Sequence, residues 1–119
     1  MDASMEDIAT AFSRHRFEDA YPYLADDVRW NQVGREQVKG KDAVRAACDA
    51  TANALAGVEM IVHRFDVRVT ETFVVIESVT TYREEDDQKS VVASCDIYDF
   101  STGLLVEITS YTIELQAAS

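Results

Sequence analysis

The chain is poor in the residues that staple or punctuate a fold: it has one proline, four glycines and two cysteines. The cysteines, Cys48 and Cys95, fall in different expected elements, with no CxxC spacing and no second pair to complete a zinc site. Neither has the basic neighbours that activate a thiolate, so both read as reduced thiols, at least one of them buried as a small hydrophobe. With so few glycines there is no GxGxxG or Walker-type phosphate loop. No GxSxG or Cys–His arrangement points to covalent catalysis. No pair of His or acidic residues has metal-ligand spacing, and Asp26-Asp27 and Glu84–Asp87 read as solvated turns. Neither a metal nor a cofactor is therefore expected.

Positive charge is also scarce, with 11 basic residues against 22 acidic ones and a net charge of −11. Phosphate backbones are bound by clustered Lys and Arg, so nucleic acid is an unsuitable partner. Anionic membrane surfaces are unsuitable for the same reason. Solubility is the ordinary explanation for the acidity. Apolar runs are only a few residues long, too short for a membrane-spanning helix. The opening MDASMEDIATAF has no basic or apolar leader character, so the expected location is the cytoplasm.

What is present suits one folded domain. Apolar residues make up 47% and charged residues 28% of 119, enough to build a core and too apolar for disorder. No repeat, low-complexity tract or Pro/Gly-rich linker divides the chain. Ser4 can cap a first helix, with Asp7 as the acid of a capping box and Met5, Ile8, Ala9 and Phe12 as its apolar stripe. A short second helix is expected over Phe17–Leu24, with Pro22 tolerated only in its first turn. Val28–Val33 reads as a strand centred on Trp30, and Gly34–Gly40 as a loop. A third helix is expected over Asp42–Ala56, stopped by Gly57, with Val44, Ala47, Cys48, Thr51, Ala52 and Leu55 on one face.

From Val58 the period changes to two. Four long segments, Val58–Val69, Phe73–Tyr82, Ser90–Phe100 and Leu104–Leu115, are joined by short links, which predicts an antiparallel meander. Strands this long in a small domain must twist and curl, and a curled sheet has a concave side. The predicted class is α+β: three N-terminal helices cover the concave face of a curved mixed or antiparallel sheet. A core then fills one end of the enclosed space and a cavity the other.

That order of elements, with the stretches LADDVRW, KGKDAVRAA and CDIYDFSTGLLVEITSY, resembles the SnoaL-like (polyketide cyclase-like) branch of the nuclear transport factor 2-like superfamily. The resemblance covers essentially the whole chain, 1–119, as one SnoaL-like domain. It implies a cone with a pocket between helices and sheet, and frequently a homodimer. The same cone hosts isomerases, dehydratases, epoxide hydrolases, cyclases and non-catalytic binders, so it narrows function little.

Asp96 is the leading candidate for chemistry. In Val92, Ser94, Asp96, Tyr98 and Phe100 the alternation puts it on one face with two aromatic rings. A carboxyl that loses hydration beside such rings becomes a general acid, base or hydrogen-bond donor near neutral pH. The alternative is a structural carboxylate paired with an arginine or capping a backbone group. The resemblance places Asp96 where ketosteroid isomerase-like members keep a protonated Asp in the oxyanion hole. Gln32 stands at that branch's catalytic base and Phe12 near its tyrosine, so a steroid-isomerase mechanism is not expected.

Against limonene epoxide hydrolase-like members, Ser78, Thr80 and Ser110 replace the Asp–Arg–Asp set. Trp30 and Gln32 replace its water-positioning Tyr and Asn. Hydroxyls can bind a polar ligand but cannot supply that acid and base. Tyr21, Tyr23, Trp30, Tyr98 and Tyr111 are candidate pocket-wall residues, with Trp30 and Tyr98 favoured. His63 shares a strand face with Ile61, Phe65 and Val67. It reads either as a base or, more commonly, as a buried neutral histidine. His15, between two arginines, is expected at the surface.

The expected partner is thus a small hydrophobic or partly polar ligand, together with a second copy of the chain. Three functions stay open: a cofactor-free isomerase, cyclase or dehydratase using Asp96, a non-catalytic binder, or a dimerisation module with a vestigial cavity.

Overall fold

A computed structural model describes residues 3–115. Helix α1, Met5–Ser13, starts where Ser4 caps it: the Asp7 N–H donates to Ser4 Oγ at 3.1 Å and the Ser4 N–H to Asp7 Oδ2 at 3.4 Å. Two otherwise orphan amides are satisfied in this way. Its apolar side, including Ile8, Ala9 and Phe12, is buried.

The second helical segment is shorter than Phe17–Leu24. Helix α2 covers Phe17–Ala20, and a separate 3-10 turn, Tyr21–Tyr23, carries Pro22 in its first positions. A proline can begin a helical turn but cannot continue one, because it has no N–H and its ring meets the preceding turn. The chain therefore enters strand β1, Leu24–Gln32, four residues before Val28. Asp26 and Asp27 are exposed strand residues rather than a turn. The expected loop contains a short strand β2, Gln37–Lys39, paired antiparallel to β1. Helix α3, Lys41–Ala54, buries Val44 and Cys48, with Ala47, Thr51 and Leu55 half-buried; Ala52 is exposed. Gly57 at φ +82° turns the chain out of it, a conformation glycine adopts without steric cost.

Strands β3 (Glu59–Val69), β4 (Phe73–Arg83), β5 (Lys89–Ser101) and β6 (Leu104–Leu115) form the antiparallel meander. The six strands make one mixed sheet in the order β2-β1-β6-β5-β4-β3, with β1 parallel to β6. Its inner face is graded along the strands. The row Val69–Val74–Tyr98–Ile108–Trp30 is apolar and meets the helices. Val74, Tyr98 and Ile108 are fully buried there with Ile76, Leu105 and Ile8, each stabilising by about 1.5–3 kcal/mol. The next row, Val67–Ile76–Asp96–Ser110–Gln32, is mixed, and Phe65–Ser78–Ser94–Thr112 beyond it is rich in hydroxyls. Polarity therefore appears where the helical cover ends and the interior opens. No helix among the described residues is long and apolar enough to cross a membrane.

Candidate functional site

The open end of the cone is a cavity of about 550 Å³, within the ~300–1,000 Å³ usual for small-molecule sites. Alternation along β4, β5 and β6 turns Ser78, Thr80 and Tyr82, Ser94 and Asp96, and Ser110 and Thr112 into it. Strand β1 contributes Trp30 and Gln32, and α1 contributes Phe12 and Ser13. The structure thus brings Asp96, Trp30, Gln32, Ser78, Thr80, Tyr98 and Ser110 together on one wall. It leaves out His63.

Asp96 lies between Ile76 and Ser110 across the ladder. It is half-buried, one side facing the cavity. Burial pushes its carboxyl above the ordinary Asp range, while the hydroxyls of Ser110 and Ser94 beside it partly offset the shift. Ser94 Oγ is 3.5 Å from Asp96 Oδ2 and also bonds Ser78 Oγ at 2.8 Å. The Trp30 indole N–H donates to Ser110 Oγ at 3.0 Å, which leaves that hydroxyl's own proton free to turn toward the carboxyl. Asp96 makes no ion pair among the described residues. The structural alternative, a carboxylate neutralised by an arginine, is therefore not what this site contains.

Tyr98 is fully buried under Phe12, ring centroids 5.8 Å apart, and its hydroxyl bonds Ser13 Oγ. Burial first, and then Asp96, raise its phenol well above the usual value. Trp30 also packs edge-on to Phe12, at 5.1 Å. Phe12 is thus the hub on which the two favoured wall aromatics rest. Tyr111 is 47% exposed on the opposite sheet face, and Tyr21 lies outside the cavity with its hydroxyl on Asp49. The Tyr23 hydroxyl accepts from the Ala3 N–H.

Two histidine expectations are corrected. A β-bulge between Val62 and Arg64 adds one residue to β3, so Val62 faces Thr80 while Arg64 faces Val79. Met60, Val62 and Phe65 consequently line the cavity, and His63 is exposed on the outer face, 2.6 Å from Thr81 Oγ1. His15, expected at the surface, lines the cavity. It sits just past the end of α1 at φ +64°, with its ring edge-on to Phe17 at 5.5 Å and to Tyr82 at 6.4 Å. Burial lowers its pKa and keeps the imidazole neutral.

Tyr82 is raised by burial and by Asp96. The signal for Tyr82 and Ser94 was present as the period-two continuation of Ser78–Thr80 and of Asp96. For His15 there was none, because a backbone reversal decides where its ring points. Among the described residues no group of three or more metal-ligating side chains comes together. Burial pushes the Cys48 thiol up to about 12, an inert core position, and Cys95 is free and half-buried.

Fold and site together define a helix-capped α+β cone with an open interior. The SnoaL-like domain family matches residues 5–108, and the chain belongs to that family. It is 32% identical to a nuclear transport factor 2-like protein of unknown function from Cytophaga hutchinsonii, over 92% of this chain and 100% of that one, with a TM-score of 0.80. A provisionally named SnoaL-like polyketide cyclase from Jannaschia sp. shares 16% identity over 94% and 90% of the two chains, TM-score 0.70. A provisionally named isomerase from Rhodopseudomonas palustris shares 19% over 92% and 91%, TM-score 0.72. At these last two identities the likeness concerns fold alone. No curated protein matches the chain.

Proposed function

We propose that the cavity takes a small, largely apolar molecule and that Asp96 moves a proton on it without a cofactor, in an isomerisation, cyclisation or dehydration. The observation that carries this reading is a carboxyl held on the wall of an open cavity, with hydroxyls beside it and no ion pair among the described residues. Desolvation moves such a group toward the pKa at which proton transfer is efficient near neutrality. As carboxylate, Asp96 removes a proton from a carbon made acidic by a neighbouring carbonyl. The electron pair of that C–H bond moves onto the carbonyl oxygen, where hydroxyls of the Ser78–Ser94 row or Tyr82 can donate to it. The protonated carboxyl then returns its proton at another carbon. His15, neutral on the same wall, is a second group able to accept one. The roles of Trp30, Gln32, Thr80, Tyr98 and Ser110 in this reading are to shape and orient the ligand.

The test uses 5-nitrobenzisoxazole, a flat neutral molecule that opens to a coloured cyanophenolate when a base removes its one acidic C–H proton. Saturable turnover should rise with pH as Asp96 ionises and fall about 10²-fold or more in Asp96→Asn. A rate no higher than that of free carboxylate, or one indifferent to Asp96→Asn, defeats the reading. The cavity has one acidic side chain among the described residues, and that observation favours a second reading, non-catalytic binding of a hydrophobic metabolite. Saturable binding of the same compound without acceleration selects it. A vestigial cavity does not fit the open volume.

We also propose that a second copy of the chain packs on the outer sheet face. Across β4, β5 and β6 its rows Val79–Ala93–Ile113 and Thr81–Val91–Leu115 carry no charge, with Arg64 beside Val79 on β3, although the chain as a whole is at −11. Ile113 is 64% and Ile61 42% exposed there. Such an apolar area gives a self-repelling acidic molecule a surface on which to meet its own copy.

A further inference from the structure

The charge on the cavity wall is opposite to that of the molecule. Acidic residues outnumber basic ones two to one in the sequence, yet among the described residues Asp96 is the one acidic side chain on the wall. Arg14 and Arg35 both line it. The ion pairs among the described residues use Arg29, Arg64, Arg68 and Arg83, and neither cavity arginine takes part. The Arg14 guanidinium instead lies 4.2 Å over the Phe65 ring, a placement that orients a cation while leaving its N–H groups available. Arg35 lies in the turn joining β1 to β2, whose backbone is fixed by the Arg35 main-chain N–H donating to the Gln32 carbonyl at 2.8 Å. Both arginines are exposed whereas Asp96 lies deep. The cavity is therefore positive at its mouth, apolar along Phe12, Phe65 and Val62, and acidic or hydroxylic at its floor.

We infer that the ligand is an amphipathic organic acid, whose carboxylate is held at the mouth by Arg35 or Arg14 and whose oxygen-bearing far end meets Asp96. The inference deepens the reading of this cavity as a small-molecule site and rests on it. Each unpaired guanidinium on the lining presents donors that fit a carboxylate fork, and a bound anion fills them. The overall acidity does not prevent this, because repulsion from charges more than about 8–10 Å away is screened at physiological salt.

The experiment compares 5-phenylpentanoate with the matched neutral 5-phenylpentanamide by isothermal titration calorimetry near neutral pH. A change in emission of Trp30, the single tryptophan, locates each probe in the cavity. The acid should bind about tenfold tighter than the amide, as a charged hydrogen-bond pair predicts. Arg35→Gln should remove several-fold of that preference and Arg14→Gln with Arg35→Gln nearly all of it, with amide affinity held. Arg35 is an exposed turn residue, so its single variant keeps the test valid if the double variant folds poorly. Equal affinities, failure of the acid to bind, or a preference that survives the arginine changes overturns the inference. Asp96→Asn should retain the acid preference. Failure of proton transfer with a preserved preference therefore removes the catalytic reading and leaves the ligand class standing.

Discussion

A carboxyl taken from water to the floor of a cavity resists ionisation, and that resistance is measurable as stability. Burial raises the Asp96 pKa, so the folded state holds its proton more tightly than the unfolded chain does. Linkage then makes Asp96 least harmful to the fold below the ordinary Asp value of ~3.9 and increasingly destabilising as pH rises through its folded pKa. His15 acts in the opposite sense. Its lowered pKa costs stability as pH falls through the ordinary histidine range, so the wild-type profile alone mixes the two. The difference between wild type and Asp96→Asn isolates the carboxyl. The two proteins should melt together in acid, and the Asn variant should melt higher at neutral pH, as thermal denaturation followed by circular dichroism will show. An Asn variant that loses stability relative to wild type as pH rises contradicts a desolvated Asp96. The sequence disclosed this residue because strict alternation placed it beside Tyr98. It could not disclose His15, whose direction follows from a positive φ just past a helix end.

At the scale of elements, the bulge in β3 has the largest consequence. The extra residue moves His63 to the outer face and puts Met60 and Val62 into the cavity with Phe65. The run Met60-Ile61-Val62 is apolar at both parities, so a slip of register leaves no trace in the hydropathy pattern. His63→Ala should cost at most about 1 kcal/mol, the worth of its bond to Thr81, and leave the nitrobenzisoxazole reaction unchanged. A loss of turnover comparable to that of Asp96→Asn contradicts its outer-face position. The first helix was legible to the residue, since the Ser4–Asp7 box is local chemistry. Strand β2 was not, because three residues are too few to show a period. The start of β1 was misplaced because the turn around Pro22 ends sooner than a helix would.

At the scale of the molecule, the sheet has two faces with different work. The inner one is closed by helices and cavity; the outer one presents apolar rows on β4 to β6 to solvent, beside the ion pairs of Arg64, Asp66, Arg68 and Glu77. Ile113→Lys should convert a dimer into monomers in sedimentation equilibrium, with the far-UV spectrum unchanged because the side chain is 64% exposed. A wild-type chain that sediments as a monomer at micromolar concentration removes the proposed assembly. The sequence by itself determined the α+β class, the four-strand meander, the capped first helix, and the alternation that sets Ser78 and Thr80, Asp96 and Tyr98 on common faces. These depend on local propensity and on periods of 3.6 and 2, which are written in neighbouring residues. Only the tertiary structure decided that β1 lies parallel to β6, that the bulge expels His63, that His15 turns inward, and that Arg14 and Arg35 line one cavity. Each of these depends on a register or a backbone reversal that joins residues distant in sequence, and no local pattern encodes which distant partner will be met.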